Sequence, residues 1–222
     1  MKKITWLGHA AFKIEIDGLT IFVDPWIKGN PVSPLKSYKE IKKADLVLVT
    51  HDHNDHGFKD ALKICKKTGA TFVSVFELAN KARRKFVKKT IGSNIGAEIS
   101  VNDTKIYFTP AWHSSNVASP CGFIVKTPNL TFYHTGDTAF YSDMELFSKL
   151  YEIDLMLVPL CPTYMMGIKE TVWAVEKVKP KITIPMHYNT FSKIKADPQE
   201  FKKMVADKSK VEIVEINQIL EL

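Results

Sequence analysis

The sequence predicts an α/β fold, an αββα sandwich of two mixed sheets with helices on their outer faces, and two features carry that prediction. Short apolar runs alternate with amphipathic stretches of helical period, the pattern of β-α-β units. The pattern also occurs twice, because Ala44-Asp-Leu-Val-Leu-Val is echoed by Ile153-Asp-Leu-Met-Leu-Val, and each run leads into a loop and then a helical stretch. Short strands precede each copy, so each sheet is expected to be mixed.

In chain order, Phe12 to Ile16 and Leu19 to Val23 read as strands joined by Asp17-Gly18, a residue pair suited to a hairpin turn. Ala44 to Val49 and Thr71 to Phe76 have strand length and bracket a helix over Phe58 to Lys67. Glu77 to Lys89 reads as a second helix. Several short strands follow between Glu98 and Tyr133, among them Thr104 to Thr109, Gly122 to Lys126 and Leu130 to Tyr133. Beyond the second apolar run come a helix over Lys169 to Val178, a strand over Ile182 to Pro185, a helix over Pro198 to Ala206 and a last strand over Val211 to Ile216. No linker, low-complexity tract or long charge block interrupts the chain, so one domain over residues 1–222 is expected.

Composition narrows the function classes. With 222 residues, 45% hydrophobic and 25% charged, the chain can bury one large core. No apolar run approaches the roughly 18 residues of a membrane helix. Lys2 and Lys3 are followed by His9, Lys13, Glu15 and Asp17, which interrupt any signal-peptide core. A cytoplasmic protein without a membrane partner is expected, its thiols Cys65, Cys121 and Cys161 reduced and free of any CxxC pairing. The net charge of +7 comes almost wholly from lysine, with Arg83 and Arg84 the only arginines. Lysine lacks the bidentate fork that suits phosphate recognition, so the charge is read as favouring solubility or thermostability over nucleic acid. The run Lys81 to Lys89 is accordingly taken as the solvated face of a helix, with Phe86 and Val87 packed inward. Oligomeric state is left open.

The chemistry concentrates in Thr50-His-Asp-His-Asn-Asp-His-Gly57, directly after the apolar run Ala44 to Val49. Imidazole nitrogen and carboxylate oxygen are ligands for zinc, iron and manganese. His51 and His53, two apart, face one side of an extended segment and can grip one ion. Asp55 and His56 break that alternation and face elsewhere, which suits a second ion about 3.5–4 Å from the first.

An HxHxDH motif at the end of an apolar strand resembles the metallo-β-lactamase superfamily. Ala111-Trp-His113-Ser-Ser, Tyr133-His-Thr-Gly-Asp137-Thr and Pro185-Met-His187-Tyr-Asn follow in the order and spacing of that superfamily's small metal-dependent hydrolases, relatives of the ascorbate-phosphate lactonase. Trp6-Leu-Gly-His9-Ala, Asp24-Pro-Trp26 and Gly29-Asn30-Pro31 look like the same family, so the likeness runs from about Thr5 to about Phe201. It implies the αββα sandwich of the metallo-β-lactamase type. It also implies that His51, His53 and His113 bind one metal, that Asp55, His56 and His187 bind a second, and that Asp137 bridges them. Zinc is the first expectation; manganese, iron and nickel suit the same donors. The chain departs from the family pattern at Leu160-Cys161-Pro162-Thr163 and Tyr164-Met165-Met166-Gly167, which implies a reshaped substrate pocket, with Met165 and Met166 either lining it or packing in the core.

The expected reaction is hydrolysis of an ester, lactone or phosphodiester in a small-molecule substrate by a hydroxide shared between two cations, for which no serine or cysteine nucleophile is required. By resemblance, a phosphorylated sugar lactone or a phosphodiester suits best. Asp55 is expected to orient that hydroxide as well as bind metal. His134 is expected either to serve catalysis, by orienting a ligand or donating a hydrogen bond to substrate, or to be a satisfied core histidine. Asp24 is read as an acceptor behind the metal loop or as a plain turn residue. Two other readings stand beside this one: a nuclease of the ribonuclease Z kind, and a non-catalytic metal-binding domain.

Overall fold

A computed structural model describes residues 2–222. Its first half forms β1 (Lys3–Trp6), β2 (Phe12–Ile16), β3 (Leu19–Val23), β4 (Leu46–Leu48), α1 (Phe58–Thr68), β5 (Thr71–Val75), α2 (Phe76–Arg84) and β6 (Thr90–Ser93). The second half forms β7 (Glu98–Val101), β8 (Thr104–Pro110), β9 (Cys121–Lys126), β10 (Thr131–His134), α3 (Met144–Leu150), β11 (Leu155–Pro159), α4 (Ile168–Val178), β12 (Ile182–Met186), α5 (Pro198–Val205), β13 (Lys210–Val211) and β14 (Ile219–Glu221).

The strands build two seven-stranded sheets, ordered β14-β1-β2-β3-β4-β5-β6 and β7-β8-β9-β10-β11-β12-β13. In both, the first four strands pair antiparallel and the last four pair parallel. The repeat read in the sequence is therefore a structural one, since β4 and β11 are both fifth in their sheets. Strands β4, β10 and β11 are buried along their whole length, as expected where sheets face one another and helices cover the outside. Fully buried Phe12, Phe22, Phe72, Phe108, Phe123, Phe132 and Tyr133 fill much of the core. No helix among the described residues is long and apolar enough to cross a membrane.

Several element boundaries differ from the sequence expectation. The second helix stops at Arg84, not Lys89, because Phe86 turns into the left-handed region (φ 63°) and Val87 N–H bonds back to Ala82 O at 3.2 Å, a helix stop normally given to glycine. Phe86 is consequently 85% exposed, not packed inward, whereas Val87 is buried. The chain after that stop forms the edge strand β6. The expected strand from Val211 to Ile216 is also replaced: the chain leaves the second sheet after Val211 and crosses to the first, where β14 pairs with β1, Lys3 opposite Glu221. Short α3 and the four-residue strand β1 carry too little periodicity to have been expected.

The antiparallel and parallel parts meet at β3/β4 and β10/β11. In open mixed sheets the carboxyl ends of strands at such a switch are where ligands bind. Asp24, Thr50 to His56, Asp137 and His187 all follow the carboxyl ends of β3, β4, β10 and β12.

Candidate metal centre

The loop after β4 is fixed before it presents any ligand. Asp24 accepts from the Thr50 N–H at 2.8 Å and from the Thr50 hydroxyl at 2.7 Å. With that hydroxyl proton committed, its oxygen accepts from His51 Nδ1–H at 3.0 Å, which leaves the lone pair on Nε2. His56 donates from Nδ1 to Asp24 at 2.8 Å, which turns its Nε2 toward Asp137. A single turn over Asn54–His56 brings Asp55 beside His9 and sets the His56 ring against His51 on one side and Asp137 on the other. It ends on Gly57 at φ 69°, where a Cβ would lie 2.4 Å from the Pro25 carbonyl carbon. Only glycine lets this turn rest on the Asp24-Pro25-Trp26 backbone.

The other ligands arrive singly. His113 lies in the loop after β8, which is tied to Asp52: the carboxylate accepts from Ser115 Oγ at 2.8 Å and Asn116 N at 2.9 Å, and pairs with Lys81 at 3.2 Å. Asp137 follows β10 through Gly136 (φ 63°), where a Cβ would meet Cys121 O at 2.4 Å. His187 follows β12 in the left-handed region (φ 60°), its N–H donating to His9 O at 3.0 Å.

All seven residues expected as ligands converge. Candidate ligand atoms lie within 4.8 Å of one another in three overlapping groups: His51, His53 and His113; His51, His56 and Asp137; and His9, Asp55, His56 and His187. One oxygen, Asp137 Oδ2, joins them, 3.1 Å from His56 Nε2, 3.2 Å from His187 Nε2 and 3.6 Å from His113 Nε2. His56 is thus held between Asp24 and Asp137, carboxylates that follow the fourth strand of either sheet.

Electrostatics separates the groups. Burial pulls the His51 and His113 rings below the usual histidine range, so both are neutral, ready ligands. Burial also opposes charge on His187, but the Asp137 carboxylate overcomes it and raises the ring to about 9. His56 is likewise held well above its ordinary value, with Asp137 and Asp24 outweighing burial. Burial, opposed by the Asp55 hydrogen bond, lowers His9 to about 4. Asp137 and Asp55 stay ionised against burial, through His187 and His56 for the first and through His9 and His56 for the second.

The donor set suits divalent metal. His9 Nε2, His56 Nε2, both ring nitrogens of His187 and Asp137 Oδ1 are buried without a hydrogen-bond partner, His9 Nε2 standing at ion-pair distance from Asp55, despite the cost of leaving such atoms unpaired. An ion at the point shared by His56 Nε2, His187 Nε2 and Asp137 would satisfy those three, and a set of imidazoles and carboxylates is the set such ions take.

His134 does not belong to the centre. It is fully buried, Nε2 donates to Ala10 O at 3.0 Å and Nδ1 accepts from Gly136 N at 3.2 Å, so neither nitrogen is free to meet substrate. These bonds favour a satisfied core histidine that orients a ligand, by fixing the turn before Asp137, over one that donates to substrate. Asp24 is the acceptor behind the metal loop and not a plain turn residue. Met166 is core, fully buried beside Cys161, and does not line a pocket. His9 also enters the ligand cluster, a place that the sequence signalled only through the motif Trp6-Leu-Gly-His9-Ala.

Known proteins resemble this chain in sequence and in fold. The family described as Beta-lactamase superfamily domain matches residues 3–187. A protein of Staphylothermus marinus named UPF0173 metal-dependent hydrolase is 48% identical over 221 residues, covering 96% of this chain and 95% of its own. One of the same name from Pyrococcus furiosus is 46% identical over 229 residues and covers both chains fully. The solved structure of Igni18, described as a novel metallo hydrolase from the hyperthermophilic archaeon Ignicoccus hospitalis, superposes with a TM-score of 0.92 at 38% identity, covering 99% of this chain and 97% of that one.

Proposed function

Since this chain belongs to the Beta-lactamase superfamily domain family, and its full-length relatives are named metal-dependent hydrolases, we propose that it is a metal-dependent hydrolase with two divalent cations. His51, His53 and His113 would hold the first, Asp55, His56 and His187 the second, and Asp137 would be shared. The observation that carries this reading is the single Asp137 oxygen within 3.1, 3.2 and 3.6 Å of ring nitrogens from both groups. A carboxylate oxygen so placed can screen two cations from each other. Zinc suits the donors first, with manganese, iron and nickel as alternatives.

Bound cations of this kind supply Lewis-acid polarisation and a water acidic enough to ionise near neutral pH. The chain's own residues supply position. Asp55, with 32% of its side chain exposed, reaches toward solvent, and it orients the attacking water while binding metal. Asp24, Thr50 and Asp52 hold the ligand loops in register. The substrate is a small ester, lactone or phosphodiester.

Elemental analysis of protein purified without chelator, beside a screen of small lactones and a phosphodiester reporter across salt concentrations, tests the reading. Two ions per chain with salt-insensitive cleavage of a small substrate support it. Cleavage that falls steeply with salt would replace it with a nuclease. Full occupancy without cleavage of any ester would leave a non-catalytic metal-binding domain.

A further inference from the structure

The HxHxDH loop and the later ligands account for seven residues of the cluster but not for His9, which contributes more contacts to it than its place in the sequence suggests. Its backbone sits in the left-handed region (φ 58°), directly after Gly8 at φ 91°. A non-glycine residue held there is strained and persists where surrounding contacts over-determine it. Those contacts are present. The His9 carbonyl accepts from Trp6 Nε1 at 2.8 Å and from the His187 N–H at 3.0 Å. The ring is fully buried, 3.6 Å centroid to centroid from His187 and edge-on to Trp26 and Phe191 at 5.2 and 5.6 Å. Nδ1 lies 3.0 Å from the Thr190 hydroxyl, and Nε2 lies 3.3 Å from Asp55 Oδ2.

Asp55 needs such a partner. It stands on a single turn of helix, and among the described residues His9 is the one side chain within ion-pair distance of its carboxylate. If the Thr190 hydroxyl donates to Nδ1, the ring proton is on Nε2 and faces Asp55.

We propose that His9 is the positioning residue of the second cation's ligands: its ring N–H aims the Asp55 carboxylate, its carbonyl fixes the backbone of His187, and Thr190 sets its tautomer. This rests on the two-cation reading above. One residue thereby couples two ligands that come from opposite sheets.

The test titrates metal-free protein with cobalt(II), following visible absorption and bound metal per chain, for wild type, His9→Ala, His9→Gln and Thr190→Val. Wild type takes up two ions. His9→Ala weakens the second by about 10–100-fold, the usual effect of losing an orienting partner, and leaves the first unchanged. His9→Gln, whose amide can still donate to Asp55, recovers most of that loss, and Thr190→Val falls between them. A structural defect alone would not be rescued by glutamine, and circular dichroism of each variant checks that it is folded. Equal second-site affinity in wild type and His9→Ala would overturn the proposal, as would His9→Gln binding no better than His9→Ala. A saturated His9→Ala spectrum changed toward fewer nitrogen ligands would overturn it differently, by making His9 a ligand. If wild type binds fewer than two ions, the two-cation reading falls, and this inference with it.

Discussion

The two ligand groups are prepared for metal in opposite ways. His51, His53 and His113 are electrostatically ready: burial keeps His51 and His113 neutral, so neither must lose a proton to bind. Mechanically they are looser, since His53 is only half-buried and His113 hangs in a loop whose hold is the Asp52 clamp. Asp55, His56 and His187 are the reverse. They are braced by Asp24, His9 and the left-handed turn at His187. Protons hold their place until metal arrives, because His56 and His187 are charged partners of Asp137 in the metal-free protein. Rigidity and readiness are therefore divided between the groups, and the first should fill before the second.

The most severe way to break this contrast is to remove what the groups share. Asp137→Ala should strip at least one ion and lower hydrolysis by about a thousandfold or more, several kcal/mol of lost transition-state stabilisation. Elemental analysis with steady-state rates reads both, and unchanged metal content would end the bridging assignment.

Acidity should separate the groups next. A raised histidine must give up its proton to become a ligand, so second-ion affinity should fall about tenfold per pH unit below 9 for each proton displaced, while the first ion changes far less. Zinc titration near pH 6 should then give close to one ion and near pH 8.5 two; parallel pH dependence for both would refute the division. The same protons affect stability with a definite sign. Because the folded value of His187 is raised from 6.5 to about 9, its contribution to the metal-free fold is complete below about 6.5 and lost as pH rises through about 9. Thermal unfolding of metal-free protein at pH 6 and pH 9.5 should show the loss, and metal should remove it.

The mildest intervention sharpens the comparison instead of breaking it. Asp52→Ala frees the His113 loop and should weaken the first ion by about tenfold, at the low end of such effects, with little change at the second. Dissociation into a chelator, followed by stopped flow, resolves the two ions. A larger effect on the second would mean that the clamp serves the whole centre.

What the sequence made legible follows how locally each contact is encoded. His51, His53, Asp55 and His56 stand within one turn of chain, so their spacing alone points to metal. His113, Asp137 and His187 are lone residues in their own segments, and only resemblance to known motifs joins them. His134 lies three residues before Asp137 in the same motif, yet its ring goes to Ala10 O and Gly136 N, a direction that spacing does not reveal. His9 acts partly through a carbonyl, which no side-chain pattern encodes. The fold divides similarly: central strands with continuous apolar runs were legible, whereas β1, β6 and β14 are short strands at or near a sheet edge, defined by their partners.

The pairing of β14 with β1 also orders the protein's birth. Contacts spanning almost the whole chain are entropically the slowest to close. While the ribosome is still at work, β1 can pair with β2 but must wait on its other side until Ile219–Glu221 emerge. For that interval the nascent protein carries an uncapped strand edge, the kind of surface that templates mispairing between neighbouring chains. Emergence of Ile219–Glu221, and not assembly of the ligand loops, is what moves that edge of the first sheet from β1 to the shorter β14.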